Sequence, residues 1–214
     1  MKAIAACDGN KGYAENADEL IARYEAVAFA AKHEALLRLI PNPCMRVLDV
    51  GAGAGGDAAW LAERGSTVVA VEPTAEFRAY ARRRHASPKI EWIDDSLPRL
   101  RRVVRRRETF DLILIAAVWM HLEEGERSAA MPVVASLLSP GGLLYISLRH
   151  GAIPEGRRMF DVTATETSAK ARAAGLRPLL EAASPSLQER NREAGITWSQ
   201  LVFTKQGRAM ERLP

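Results

Sequence analysis

From residue 46 to residue 148, short and nearly uncharged runs alternate with segments long enough for helices, and this alternation constrains the fold more than any other feature. Val47-Leu48-Asp49-Val50, Thr67-Val68-Val69-Ala70-Val71 and residues 110–117 are too continuously apolar for strands with one wet face. They predict strands buried on both sides, as in a parallel sheet covered by helices. Residues 57–64, 74–85 and 126–138 read as the intervening helices, with Pro132 either starting or kinking the last. Residues 89–93 form a further short strand, and Pro140-Gly141-Gly142 a turn into a strand at 143–148. After a helix at 166–174, strands at 178–181 and 197–204 read as a closing hairpin. Short connections favour right-handed crossovers. The expected fold is α/β: a doubly wound, mostly parallel seven-stranded sheet with helices on both faces and a C-terminal antiparallel hairpin.

Ahead of this region, the apolar residues Ala17, Leu20, Ile21, Tyr24, Val27, Ala28 and Ala31 recur at helical spacing and predict one amphipathic helix within 16–40. Residues 1–15 show no period and read as an arm or lid. The expected division is therefore an N-terminal arm and helix, 1–40, packing on or capping the site, and a single domain at 41–214. No run approaches the roughly 18–20 uncharged residues of a membrane-spanning helix. The apolar stretch before Cys7 is too short for a signal sequence. Two isolated cysteines, Cys7 and Cys44, give no metal spacing and fit a reducing cytoplasm.

The net charge of +4 is local in origin. Arg99, Arg101, Arg102, Arg105, Arg106 and Arg107 lie together, and without them the chain would be net acidic. Such a run can hold nucleic acid, but it lacks interleaved aromatics. A solvated helix face with Leu100, Val103 and Val104 turned inward explains it as well.

The strongest chemical signal is Leu48-Asp49-Val50-Gly51-Ala52-Gly53-Ala54-Gly55-Gly56-Asp57, set between a strand and a helix. Its glycines permit a tight turn and close approach of backbone N–H groups to a ligand. Gly51, Gly53 and Gly56 fit a dinucleotide fingerprint, and Glu72 stands where a ribose hydroxyl would be bound in either an NAD or an adenosyl site. Three features favour the adenosyl site. Asp49 would attract an ammonium group but repel a pyrophosphate; Asp94-Asp95 add negative charge at the same sheet edge; and no second nucleotide-binding half follows.

These residues resemble the class I S-adenosylmethionine-dependent methyltransferases, Rossmann-like enzymes, over about residues 46–148. Asp49-Val50-Gly51-Ala52-Gly53-Ala54-Gly55 matches their D-x-G-x-G-x-G loop, Glu72 their acid after the second strand, Phe110-Asp111-Leu112-Ile113 their fourth strand, and Leu137-Leu138-Ser139-Pro140-Gly141-Gly142-Leu143 their fifth-strand turn. Residues 117–122 and 147–151 are similar to a bacterial subgroup that implies no substrate.

The resemblance implies S-adenosyl-L-methionine as cofactor and S-adenosyl-L-homocysteine as product. It places Gly51, Ala52 and Gly53 along the methionine moiety, Asp49 near its amino group, and Glu72, followed by Pro73, at the ribose. Asp94 or Asp95, with Asp95 favoured, would meet the adenine beside Ser96. Ala116 and Trp119 complete the set, Trp119 as a pocket wall.

In-line attack on a sulfonium methyl depends chiefly on positioning. A protic oxygen or nitrogen acceptor must also lose a proton. His121 is placed to take it, or else hydrogen-bonds locally behind Trp119. Arg149 and His150 form a second polar pair, with Arg157 and Arg158 on the loop beyond; an arginine there would clamp a carboxylate or phosphate, or join a salt bridge. Tyr13 and Tyr24 are candidates to cover the acceptor, while His33 and His85 read as surface residues. The leading expectation is a small-molecule methyl acceptor, with no metal and no membrane partner, in a monomer or homodimer. A nucleic-acid methyltransferase using the arginine run and a non-catalytic adenosylmethionine-binding protein are the alternatives.

Overall fold

A computed structural model describes residues 13–25, 27–40 and 45–206. The strands β1 (Arg46–Val50), β2 (Thr67–Val71), β3 (Ile90–Ile93), β4 (Phe110–Ala116), β5 (Leu138–His150), β6 (Leu176–Pro185) and β7 (Thr197–Lys205) form one sheet in the order β3-β2-β1-β4-β5-β7-β6. The β1–β2, β2–β3, β1–β4 and β4–β5 pairings are parallel, and β7 runs antiparallel to both β5 and β6. This is the expected doubly wound sheet with its closing hairpin.

Alternate residues of each central strand feed different cores, which is why the runs are apolar throughout. Leu48, Val50, Ile113, Ile115 and Leu144 pack on one face, and Val47, Leu112, Leu114, Leu143 and Val202 on the other. The order reverses at β1, whose neighbours are β2 and β4. Ligands of open α/β sheets bind at the carboxyl ends of strands flanking such a switch.

The helices α4 (Gly56–Glu63), α5 (Ala75–Arg84), α7 (Glu124–Leu137) and α8 (Ala164–Ala173) lie near their expected positions, with α6 (Arg101–Arg105) and α9 (Glu189–Glu193) shorter. Pro132 lies inside α7 rather than starting it. Pro140-Gly141-Gly142 is taken into β5, whose pairing with β4 shifts register between Phe110 and Leu112.

The single expected N-terminal helix is instead three: α1 (Ala17–Glu25), α2 (Phe29–Lys32) and α3 (Glu34–Leu37). Tertiary contacts favour the breaks. Phe29 stacks on Trp60 with ring centroids 4.0 Å apart, and His33 is drawn fully inside to Asp57, with Nε2 donating to Oδ2 at 2.8 Å. His33 is thus a core residue, contrary to its surface assignment. His85 is half-buried against Glu25 rather than free on the surface.

In the arginine run, Leu100 and Val103 are buried as expected but Val104 is exposed. No helix among the described residues is long and apolar enough to cross a membrane. Cys7 and Cys44, and residues 1–12 of the expected arm, lie outside the described residues.

Candidate active site

A cavity of about 640 Å³ opens at the carboxyl ends of β1 and β4, within the size range of small-ligand pockets. Its floor is the glycine loop, and the first of the glycines there is a geometric necessity. Gly51 sits at φ +75°, and a Cβ in its place would collide with Val118 Cγ2. The loop folds back on β2 through Gly51 and Ala52 N–H groups donating to the Val71 carbonyl at 2.8 and 3.0 Å.

Asp49, at the end of β1, is 2% exposed, and its Oδ2 atom has no hydrogen-bond partner. Burial raises its carboxyl well above the usual range, with nearby Asp57 pushing the same way. A buried acceptor without a donor is costly unless a ligand supplies one, and a cationic amine is the donor that best fits a carboxylate. Asp57 does not compete for that role. Although burial opposes its charge, His33 and Lys32, the latter with Nζ 2.7 Å from Oδ1, hold its carboxyl below the usual range.

Glu72 ties the loop to the second strand. Its Oε2 accepts from Gly53 N–H at 2.9 Å and its Oε1 from Thr74 N–H at 2.8 Å, while burial raises its carboxyl above the usual range. The Thr74 hydroxyl bonds the same carboxylate, and of its about four acceptor positions these three bonds leave one for a hydroxyl donor.

Opposite this floor, His121 follows β4 in a 3₁₀ turn, Trp119–His121. Its Nδ1 lies 2.7 Å from the Arg158 carbonyl oxygen. A carbonyl can only accept, so Nδ1 carries the proton and the neutral ring offers its lone pair at Nε2. Burial lowers the imidazole below its usual range and favours that neutral form. The Tyr13 hydroxyl donates to Nε2 at 3.0 Å, and burial raises the phenol, which keeps it a donor. The Arg157 guanidinium lies over the Tyr13 ring, 3.8 Å from its centroid. Arg158 fixes the surrounding backbone by donating to the His121 carbonyl while pairing with Glu126 at 2.9 Å.

The cavity brings together Asp49, Gly51, Ala52, Gly53, Glu72, Pro73, Ser96, Ala116, His121 and Arg149. Four expected site residues lie elsewhere. Asp95 is used structurally: its Oδ2 accepts from the N–H groups of Arg102 and Val103 at the start of α6, and its Oδ1 from Ser96 N–H. Asp94 pairs with Arg78 at 3.4 Å. Trp119 is completely buried in the core instead of walling the pocket. His150 projects to the face opposite Arg149, and its Nε2 lies 2.8 Å from the Ser199 hydroxyl.

Several lining residues were not anticipated, among them Lys32, Tyr145, Trp198 and Gln200. Lys32 was marked only by its place near the end of the N-terminal apolar pattern. The others occupy strands that the hydrophobic pattern located without revealing which face would meet the site.

Residues 47–142 match the family model described as a methyltransferase domain. The chain is 35% identical over 111 residues to an uncharacterized methyltransferase of Mycobacterium tuberculosis, covering 52% of this chain and 42% of the relative. It is 31% identical to the trans-aconitate 2-methyltransferase of an Azoarcus species, covering 72% of this chain and 58% of that one. It therefore spans about half the length of the curated relatives it matches. Its fold is similar to that of the 1,6-didemethyltoxoflavin-N1-methyltransferase of Burkholderia thailandensis, solved with S-adenosylhomocysteine and 1,6-didemethyltoxoflavin. The TM-score is 0.61 at 21% identity, with 96% of this chain and 93% of the other covered.

Proposed function

We propose that this chain, whose residues 47–142 form a class I S-adenosylmethionine-dependent methyltransferase domain, transfers a methyl group to a protic oxygen or nitrogen of a small molecule. The observation that carries this reading is the tautomer of His121, whose Nε2 is left as an acceptor and takes a hydrogen bond from the Tyr13 hydroxyl at the cavity wall.

The residues present suit the cofactor. Asp49 Oδ2 receives its ammonium group, Glu72 its ribose hydroxyls, and the backbone at Gly51 and Gly53 borders its methionine portion. Bound S-adenosylmethionine supplies a sulfonium methyl: the acceptor's lone pair forms the new bond as the methyl–sulfur bond breaks, and its electron pair stays on sulfur in S-adenosylhomocysteine. His121 Nε2 takes the acceptor's proton, directly in place of the Tyr13 hydroxyl or through it, and the Arg158 carbonyl orients the resulting imidazolium. The proton then passes to solvent. Tyr13 and Met120 line the same cavity.

A small acceptor is supported by the walls of the cavity, which residues from α1 and the β6–β7 end draw in around it. One relative is named for trans-aconitate, a small molecule. The exposed arginines of α6 do not line the cavity, and Arg106 is engaged by Glu91 and Glu108. The test is incubation with methyl-labelled S-adenosylmethionine and either a small-metabolite extract or total RNA, followed by ultrafiltration. Label that passes the filter is expected; label transferred only to RNA or to protein refutes the reading.

A further inference from the structure

We infer that the acceptor carries an anionic group, a carboxylate or phosphate separate from the atom methylated, and that Arg149 and Arg157 hold it. The inference rests on the small-molecule reading above and narrows it.

Among the described residues, the arginines that are not fully exposed divide into two sets. Arg78, Arg106, Arg127 and Arg158 are each paired with a carboxylate: Asp94, Glu91 with Glu108, Glu166, and Glu123 with Glu126. Arg149 and Arg157 have no carboxylate partner among the described residues, and both line the cavity. Arg149 donates through Nη1 to the Ala152 carbonyl at 2.7 Å, and partial burial weakens its hold on its proton. The Arg157 guanidinium lies in cation–π contact with Tyr13, while its backbone N–H donates to the Pro154 carbonyl. Partly desolvated guanidinium groups are normally matched by an anion, and the planar donor fork suits carboxylate and phosphate oxygens.

The surface around Arg149 is built for recognition. Ser147 and Arg149 stand two apart on β5, and Gln200 and Trp198 are their antiparallel partners on β7. All four line the same cavity. Gln200 is 8% exposed, and its Oε1 has no hydrogen-bond partner. The orphan amide oxygen calls for a donor on the bound molecule beside its anionic group. This patch belongs to the β5–β7 side of the cavity, whereas Asp49 and Glu72 belong to the β1–β2 side. It therefore suits the acceptor rather than the cofactor. The anion is distinct from the nucleophile because a carboxylate is already deprotonated at neutral pH and has no use for the base at His121.

The test is calorimetric titration of protein saturated with S-adenosylhomocysteine, using benzoate, the uncharged benzamide and inorganic phosphate as probes. Benzoate or phosphate is expected to bind at least tenfold more tightly than benzamide, and which of the two prevails identifies the anion. Arg149→Gln and Arg157→Gln should each abolish that preference, while an unchanged affinity for S-adenosylhomocysteine reports an intact fold. Equal binding of benzoate and benzamide with phosphate no tighter, absence of binding by either anion, or a preference that survives both substitutions would overturn the inference. The small-molecule reading fails separately, in the ultrafiltration experiment.

Discussion

Replacing Asp49 with asparagine should weaken cofactor binding while stabilising the empty protein. A residue retained for packing would instead lose stability and leave cofactor binding unchanged. In the wild type a nearly inaccessible carboxylate faces Asp57 and Glu72, with an unpartnered Oδ2. The amide keeps the volume and removes the charge. A charge-assisted hydrogen bond is worth about 1.5–3 kcal/mol, so the affinity for S-adenosylmethionine and S-adenosylhomocysteine should fall by roughly 10- to 150-fold. Relief of the buried charge should stabilise the empty protein by about 1 kcal/mol, a Tm gain of about 2–4 °C for a chain of this size. The sign follows from the raised carboxyl. The folded state holds that proton more tightly than the unfolded chain does, so wild-type stability falls as pH rises from the ordinary aspartate value through the raised one, and stays lower above it. Asparagine has no proton to lose. The difference should therefore be present at pH 7 and close below about pH 4. Calorimetry gives the affinities, and thermal unfolding at several pH values gives the stabilities. A lower Tm at pH 7, or unchanged S-adenosylhomocysteine affinity, would refute the assignment of Asp49 to the cofactor's ammonium group.

Other outcomes follow from neighbouring geometry. His121→Asn should lower methyl transfer to a protic acceptor by about 10²–10⁴-fold and remove an activity limb that rises with pH through a midpoint below the ordinary histidine value; a limb that persists in kcat/KM excludes His121 as the base. Asp95→Ala should cost about 0.5–2 kcal/mol through loss of the α6 cap, lowering Tm by about 1–8 °C with S-adenosylhomocysteine affinity unchanged. A tenfold loss of affinity would instead return Asp95 to the adenine. Gly51→Ala must accept a positive φ and displace Val118, at about 2–5 kcal/mol together, so thermal unfolding should show a Tm lower by about 4–20 °C.

The parallel core and the glycine loop were legible because their constraints are local. A strand buried on both faces has to be apolar throughout, and a loop that turns sharply beneath a ligand has to be rich in glycine. Asp95 shows where local reading ends. Its place after β3 suited the adenine, but α6 begins a few residues later with N–H groups that require an acceptor, and no spacing rule reveals which demand prevails. Trp119 was misplaced for a related reason: the 3₁₀ turn after β4 sends it into the core while His121, two residues on, lines the cavity. His33 did carry a signal, four residues after Phe29 on what became an inward face, but the partner that justifies burying it, Asp57, belongs to another element. Arg149 and Gln200 become neighbours only through the β5–β7 register, which pairs residues some fifty positions apart.

The cavity draws its walls from opposite ends of the described chain: Tyr13, Tyr24 and Lys32 on one side, Trp198 and Gln200 on the other, around a floor supplied by the central strands. During synthesis the floor emerges from the ribosome well before β7 exists, and the His33–Asp57 contact cannot form until α4 has been made. Loop closures over such distances come late in folding. The enclosure of the binding site accordingly requires nearly the whole described chain, and a nascent chain that already possesses the whole glycine loop still lacks the walls that would retain a ligand.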